Sequence, residues 1–148
     1  MSDYEFMMSL RIRHPGIDPS EITRVLGIEP QHIWCAGDLR LATGGESGGI
    51  RRESYWMGHL MTAPVLARDK VGVESEIERT LGTLRRCFSF LESLKAQGGS
   101  AELHVSLYAR EEFRLEFLPD SLALLGRVGL AVVLEVKPNP NMQSALAC

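Results

Sequence analysis

Aromatic residues make up only 7% of the chain, and no run of apolar residues approaches the roughly 18 that a membrane-spanning helix needs. The first residues include Asp3 and Glu5 and lack the basic start and apolar core of an export signal, so a soluble, unexported protein is expected. Cysteines number three, Cys35, Cys87 and Cys148, with no Cys-x-x-Cys spacing; neither a disulfide framework nor a zinc knuckle is indicated, and a reducing cytoplasm suits them. The four histidines, His14, His32, His59 and His104, show no His-x-x-x-His or His-x-Glu pattern, so no metal or other cofactor is implied. Excess charge of one sign is also missing. Sixteen Lys and Arg are interspersed with nineteen Asp and Glu for a net charge of −3, which excludes a nucleic-acid footprint. No Gly-x-Ser-x-Gly context surrounds a serine, and Cys35 beside Trp34 reads as a small buried hydrophobe, so no catalytic constellation is found.

What the chain does contain is periodicity. Val73, Ile77, Leu81, Leu84, Phe88, Leu91 and Leu94 recur at three- and four-residue spacing, which predicts one helix over residues 73–97. Such a rod of about 25 residues would be roughly 37 Å long, enough to lie across a small sheet. Its other face carries Glu78, Arg79, Arg85, Arg86, Glu92 and Lys95, with Gly82 on the solvent side and Gly98-Gly99 as the stop.

Residues 4–13 alternate apolar and mostly polar side chains, which predicts a half-buried strand. Asp18-Pro19-Ser20-Glu21 reads as an N-cap, a proline at the first helical position and a glutamate placed for a capping box; Gly27 and Pro30 end the short helix that follows. His32 to Cys35 and Tyr55 to Met61 are strand candidates, separated by a glycine-rich loop over residues 43–49. That loop lacks the Gly-Lys-Ser/Thr of a phosphate loop. Further on, residues 101–110 and 113–117 each alternate with period two, predicting two strands joined by a reversal at Glu111-Glu112. A second proline-started short helix begins at Pro119, and a last strand over residues 130–137 is expected to turn Leu130, Val132, Leu134 and Val136 to the core. The two halves echo each other, with Pro19, Ile22 and Val25 set against Pro119, Leu122 and Leu125.

These elements predict an α+β domain over residues 1–137, with residues 138–148 as a loose tail. The architecture expected is a two-layer α/β sandwich: a mainly antiparallel sheet of about five or six strands, with one long and two short helices on one face.

Two groups of residues are candidates for function. The segments flanking the glycine-rich loop bring His32, Trp34, Asp38, Arg40, Arg51, Arg52, Trp56 and His59, where tryptophans offer stacking surfaces and arginines bidentate contacts to an anion. The same residues also have a purely structural reading, as core tryptophans, a Gly37-Asp38 turn and solvated arginines. The uncovered sheet face brings Met7, Arg11, His104, Tyr108 and Arg110, a mixed-charge plate with apolar anchors that suits a protein partner or a second copy. The function expected is a non-catalytic interaction module, with a small anionic-ligand site around Trp34, Asp38, Arg51 and Trp56 as the alternative.

The blocks Asp18-Pro19-Ser20-Glu21-Ile22-Thr23, Leu26-Gly27-Ile28-Glu29-Pro30, then Trp34, Gly37-Asp38 and Trp56, together with the closing Leu-rich helix and strand, resemble the bacterial domain-of-unknown-function family 4279. The resemblance spans about residues 7–137. It implies no established activity; an immunity-type, toxin-neutralising role is what it suggests for some members. The chain departs from the family in a longer glycine-rich insert after Asp38 and in Met57-Gly58-His59 after Trp56.

Overall fold

A computed structural model describes residues 4–41 and 47–138. The chain runs β1 (Tyr4–His14), α1 (Pro19–Leu26), β2 (Pro30–Trp34), β3 (Leu39–Leu41), β4 (Ser47–Ile50), β5 (Ser54–His59), β6 (Val65–Leu66), α2 (Val73–Leu84), α3 (Phe88–Ala96), β7 (Ser100–Ala109), α4 (Pro119–Val128) and β8 (Leu130–Pro138). The main sheet has the order β2-β5-β1-β7-β8, with β6 paired to the first part of β1; β3 and β4 form a separate hairpin. Every pairing in the main sheet is antiparallel except β7 with β8. The α+β layering expected from the sequence is therefore present.

Strand β1 lies at the centre of the sheet, between β5 and β7, and its inward row is apolar. Phe6, Met8, Leu10 and Ile12 are all buried, and the helices send Ile22, Leu26, Val73, Ile77, Leu81, Leu91, Leu94, Leu125 and Val128 into the same core. Both ends of β1 also anchor helical segments. At the start, the Tyr4 hydroxyl accepts the Val73 N–H at 3.1 Å, standing in for the side-chain cap that Gly72 cannot supply to α2. Burial pushes the Tyr4 phenol above its usual pKa. At the end, His14 Nδ1 accepts the N–H groups of Gly16 and Ile17 at 3.0 and 2.8 Å. The proton therefore sits on Nε2, which donates to Gln97 Oε1 at 2.8 Å and ties the first loop to the segment after α3.

Helix α1 starts as its sequence suggests. Asp18 accepts the Ser20 N–H at 3.0 Å, Pro19 opens the first turn, and Gly27 closes the helix at φ 71°. Glu21 does not complete a box with Asp18; its carboxylate lies 3.8 Å from Arg24 instead. Helix α4 repeats the pattern with Pro119 and with Gly129 at φ 83°. Each of these helices joins two parallel strands: β7 to its neighbour β8, and β1 to β2 with β5 inserted between them. The echo between the halves goes no further than this strand–helix–strand order, because the matched residues differ in burial: Ile22 is 1% exposed and Leu122 52%.

Further expectations are corrected. The single helix over residues 73–97 is two, α2 and α3, joined by a 3₁₀ turn over Arg85–Cys87. Leu84, Cys87 and Leu91 are the buried residues across that turn, and a 3₁₀ turn keeps i and i+3 on one face, so Cys87 takes the inward place expected of half-buried Phe88. Residues 111–118 form no strand, because both edges of β7 are already occupied by β1 and β8. They remain extended, with Phe113, Leu115 and Phe117 packed against the core and the Phe113 ring 4.9 Å from that of Tyr4. The second half of β8 is not covered: Leu134 and Val136 are 41% and 61% exposed. Finally, part of the glycine-rich segment is strand β4, which pairs with β3, and the connector to α2 contains β6. The rest of that loop, residues 43–46, lies outside the described residues, as do residue 42 and the tail beyond 138.

Glycine-to-alanine substitutions at two positions are expected to act with opposite signs. A Cβ on Gly99 would fall 2.9 Å from the backbone oxygens of both Arg13 and Leu94, which cannot yield without moving β1 or α3; Gly99→Ala should cost about 1–3 kcal/mol. A Cβ on Gly82, inside α2, meets nothing within 4 Å, so Gly82→Ala should stabilise by about 0.5–1 kcal/mol. Urea midpoints that shifted in the same direction for both variants would contradict this packing. In the same assay Trp56→Ala should cost about 3–5 kcal/mol, since Trp56 is 0% exposed, and Trp34→Ala markedly less.

Candidate functional site

All four helices pack on one side of the sheet, and alternation decides what the other side carries. The register sets Trp34 opposite Tyr55, Tyr55 opposite Arg13, and Arg13 opposite Ser100. The next rows carry His32, Met57, Arg11 and Glu102, then His59, Ser9, His104 and Val133. Met7, Tyr108 and Lys137 follow toward the far end of the face. The structure therefore unites on one surface two groups that the sequence suggests as alternatives: His32, Trp34 and His59 from one, Met7, Arg11, His104 and Tyr108 from the other.

The end of this face nearest Trp34 is built as a ladder. The Trp34 and Tyr55 rings stack with centroids 4.4 Å apart at an interplanar angle of 18°. The Arg51 guanidinium lies 3.8 Å from the Trp34 centroid, and that of Arg13 lies 5.4 Å from the Tyr55 centroid. Local chain geometry places Arg51 there: its backbone exchanges hydrogen bonds with Gly37 and Asp38 at 2.8 and 2.7 Å. Asp38 in turn accepts the Cys35 N–H through Oδ2 at 2.8 Å, so this carboxylate shapes the turn. Cys35 is half-buried and not the buried hydrophobe expected from the sequence; desolvation, with Asp38 adding to it, pushes its thiol above the usual pKa.

The two arginines of the ladder differ in partners. Arg13 is 3.5 Å from Glu53 and 4.0 Å from Glu102. Arg51 has no carboxylate within salt-bridge distance among the described residues, and its stacking engages the flat face of the guanidinium, leaving the in-plane N–H donors for another group. The ladder can thus present an oriented cation beside an aromatic surface. Elsewhere on the face His104 is buried and shares a 3.0 Å hydrogen bond with Glu135, which places it as a support within the surface. Lys137 most of all, then the His104 hydrogen bond, holds the Glu135 carboxyl below its ordinary pKa against the opposing effect of desolvation.

Other candidates fall elsewhere. Trp56 is on the opposite face, fully buried, with its indole N–H donating to Thr23 Oγ1 at 2.9 Å. It neighbours Trp34's partner Tyr55 in sequence, and strand alternation sends the two to opposite sides. Arg40 on β3 and Arg52 before β5 are exposed and make no ring contact with the ladder. Arg110 follows the end of β7.

Sequence reasoning missed a cleft of ≈ 1190 Å³ at the other end of β1, lined by Tyr4, residues 66–72, Glu74, Ser75, Phe113 and Arg114 among others. On one wall Glu74 accepts the Glu116 N–H at 3.1 Å, and Arg114 pairs with Glu116 at 2.7 Å. The cleft exists because residues 111–118 leave the sheet, which the alternation of Phe113, Leu115 and Phe117 conceals. Among the described residues no three His, Cys, Asp or Glu side chains are grouped to hold a metal ion, and no helix is long and apolar enough to cross a membrane.

Comparison with curated proteins and with solved structures returns no match. Residues 4–138, nearly all of the chain, match the family described as a domain of unknown function, DUF4279. The sheet, the proline-started helices and the ladder at the end of its open face are thus those of a chain that belongs to the DUF4279 family.

Proposed function

We propose that the protein is a non-catalytic binding module that docks a protein partner on the helix-free face of its sheet. The observation that carries this reading is the Arg51–Trp34–Tyr55–Arg13 ladder. A guanidinium stacked on an indole is already ordered, so little rotamer entropy is lost when it meets a carboxylate, and the half-buried Trp34 ring, backed by buried Tyr55, supplies apolar contact area. The chemistry favours an acidic segment of the partner, placed across Arg51 and Arg11, with Met7 and Tyr108 as contacts farther along the face. An immunity-type protein covering a toxin would use a surface of this kind, and the unpaired thiols of Cys35 and Cys87 are consistent with work in a reducing bacterial cytoplasm.

The test is native mass spectrometry of the tagged protein isolated from its own host, for wild type, Trp34→Ala, Arg51→Glu and, as a control, Gly82→Ala. A protein partner retained by wild type and Gly82→Ala but depleted about tenfold or more by the two ladder variants is the expected outcome. Equal recovery with all four would remove the ladder as the docking site. A stoichiometric small anionic molecule in place of a protein, lost in Arg51→Glu, would replace this reading with the small-ligand one.

A further inference from the structure

Strand β8 ends the sheet, with β7 on one side and no strand of this chain on the other among the described residues. A nine-residue edge of this kind presents unpaired backbone groups, and natural edges are usually shortened, bulged or covered. On its helix side β8 is also apolar beyond the reach of the helices. Leu134 and Val136 stand in register beside Val105 and Leu107, which are 0% and 1% exposed, yet are themselves 41% and 61% exposed. The core layer therefore continues past the point where this chain covers it.

We propose that the occupant of this edge is β8 of a second copy, paired antiparallel about a twofold axis through Val136. The β8 edge is complementary to itself in this register. Residues directly opposite in an antiparallel pair point to the same side, so the possible twofold registers are those centred on a residue. With the axis at Val136, Glu135 lies opposite Lys137 of the second copy and Lys137 opposite its Glu135. Within one strand these two side chains are already 3.5 Å apart, so four alternating charges would close a network on the open-face side. On the helix side Val136 meets its own copy and Leu134 meets Pro138, which donates no N–H and ends the ladder. An axis at Leu134 instead sets Glu135 against Val133 and Lys137 against Ala131, leaving both charges without an opposite partner.

Pairing of this kind keeps the two open faces on one side of a continuous sheet. A dimer would thus present two ladders to a partner at once, although the edge pairing stands independently of partner binding.

The experiment is sedimentation velocity on the full chain over a concentration series at low ionic strength. Wild type should show a reversible monomer–dimer equilibrium, and Val136→Lys should weaken it by about tenfold or more with its urea midpoint kept near wild type. Glu135→Lys and Lys137→Glu should each weaken self-association, because like charges then meet across the axis. Mixed together, these two variants should form a heterodimer tighter than either homodimer, because each mixed pair again joins opposite charges. A wild type that stays monomeric at its highest soluble concentration, a dimer indifferent to Val136→Lys, or a mixture that gains nothing over the single variants would each overturn the proposal.

Discussion

Strand β1 is the constraint from which the rest of the molecule follows. Its inward row of Phe6, Met8, Leu10 and Ile12 must be covered on one side by helices and flanked on both edges by strands, and β5, β6 and β7 supply the flanks. A buried central strand also holds every neighbour in register, since a slip of one residue would exchange its apolar row for Met7, Ser9, Arg11 and Arg13. The ends of β1 then act at a distance, through the Tyr4 hydroxyl on α2 and the His14 ring on the segment after α3.

The same constraint creates the surface on which function is proposed. Because β1 commits one face to the core, its outward arginines are held on the other, and the antiparallel register carries Tyr55 and Trp34 alongside Arg13. Arg51 completes the row from a turn whose backbone pairs with Gly37 and Asp38. An aromatic stack flanked by cations at both ends is stiff, since each ring restricts the rotamers of the next. It is a place where a partner's carboxylate would find donors already in position.

The sheet's two edges are treated differently. Strand β2 is short and carries a register shift between Pro30 and His32, features that blunt an edge. Strand β8 is longer and runs unbroken beside β7, with Leu134 and Val136 beyond the helical cover. This asymmetry is why the proposed self-association is placed at β8.

Local patterns in the sequence determined much of the protein. Period-two alternation marked β1, β7 and β8, and Asp18-Pro19 with Gly27 marked the limits of α1, because capping and alternation depend on residues within a few positions of one another. The apolar stripe of residues 73–94 likewise located the helical cover, although not its 3₁₀ break, which depends on Cys87 packing beneath α1, its thiol 3.6 Å from the Val25 carbonyl oxygen. What tertiary structure alone decided were the long-range relations. The alternation of residues 113–117 is equally that of a strand, and only the occupied edges of β7 keep it out of the sheet. Trp34 and Trp56 look alike as sequence, and the pairing of β2, β5 and β1 sends one to the open face beside Arg51 and buries the other against Thr23. Strand order and register are properties of contacts between distant segments, so the site and the exposed edge came into being only when the sheet assembled.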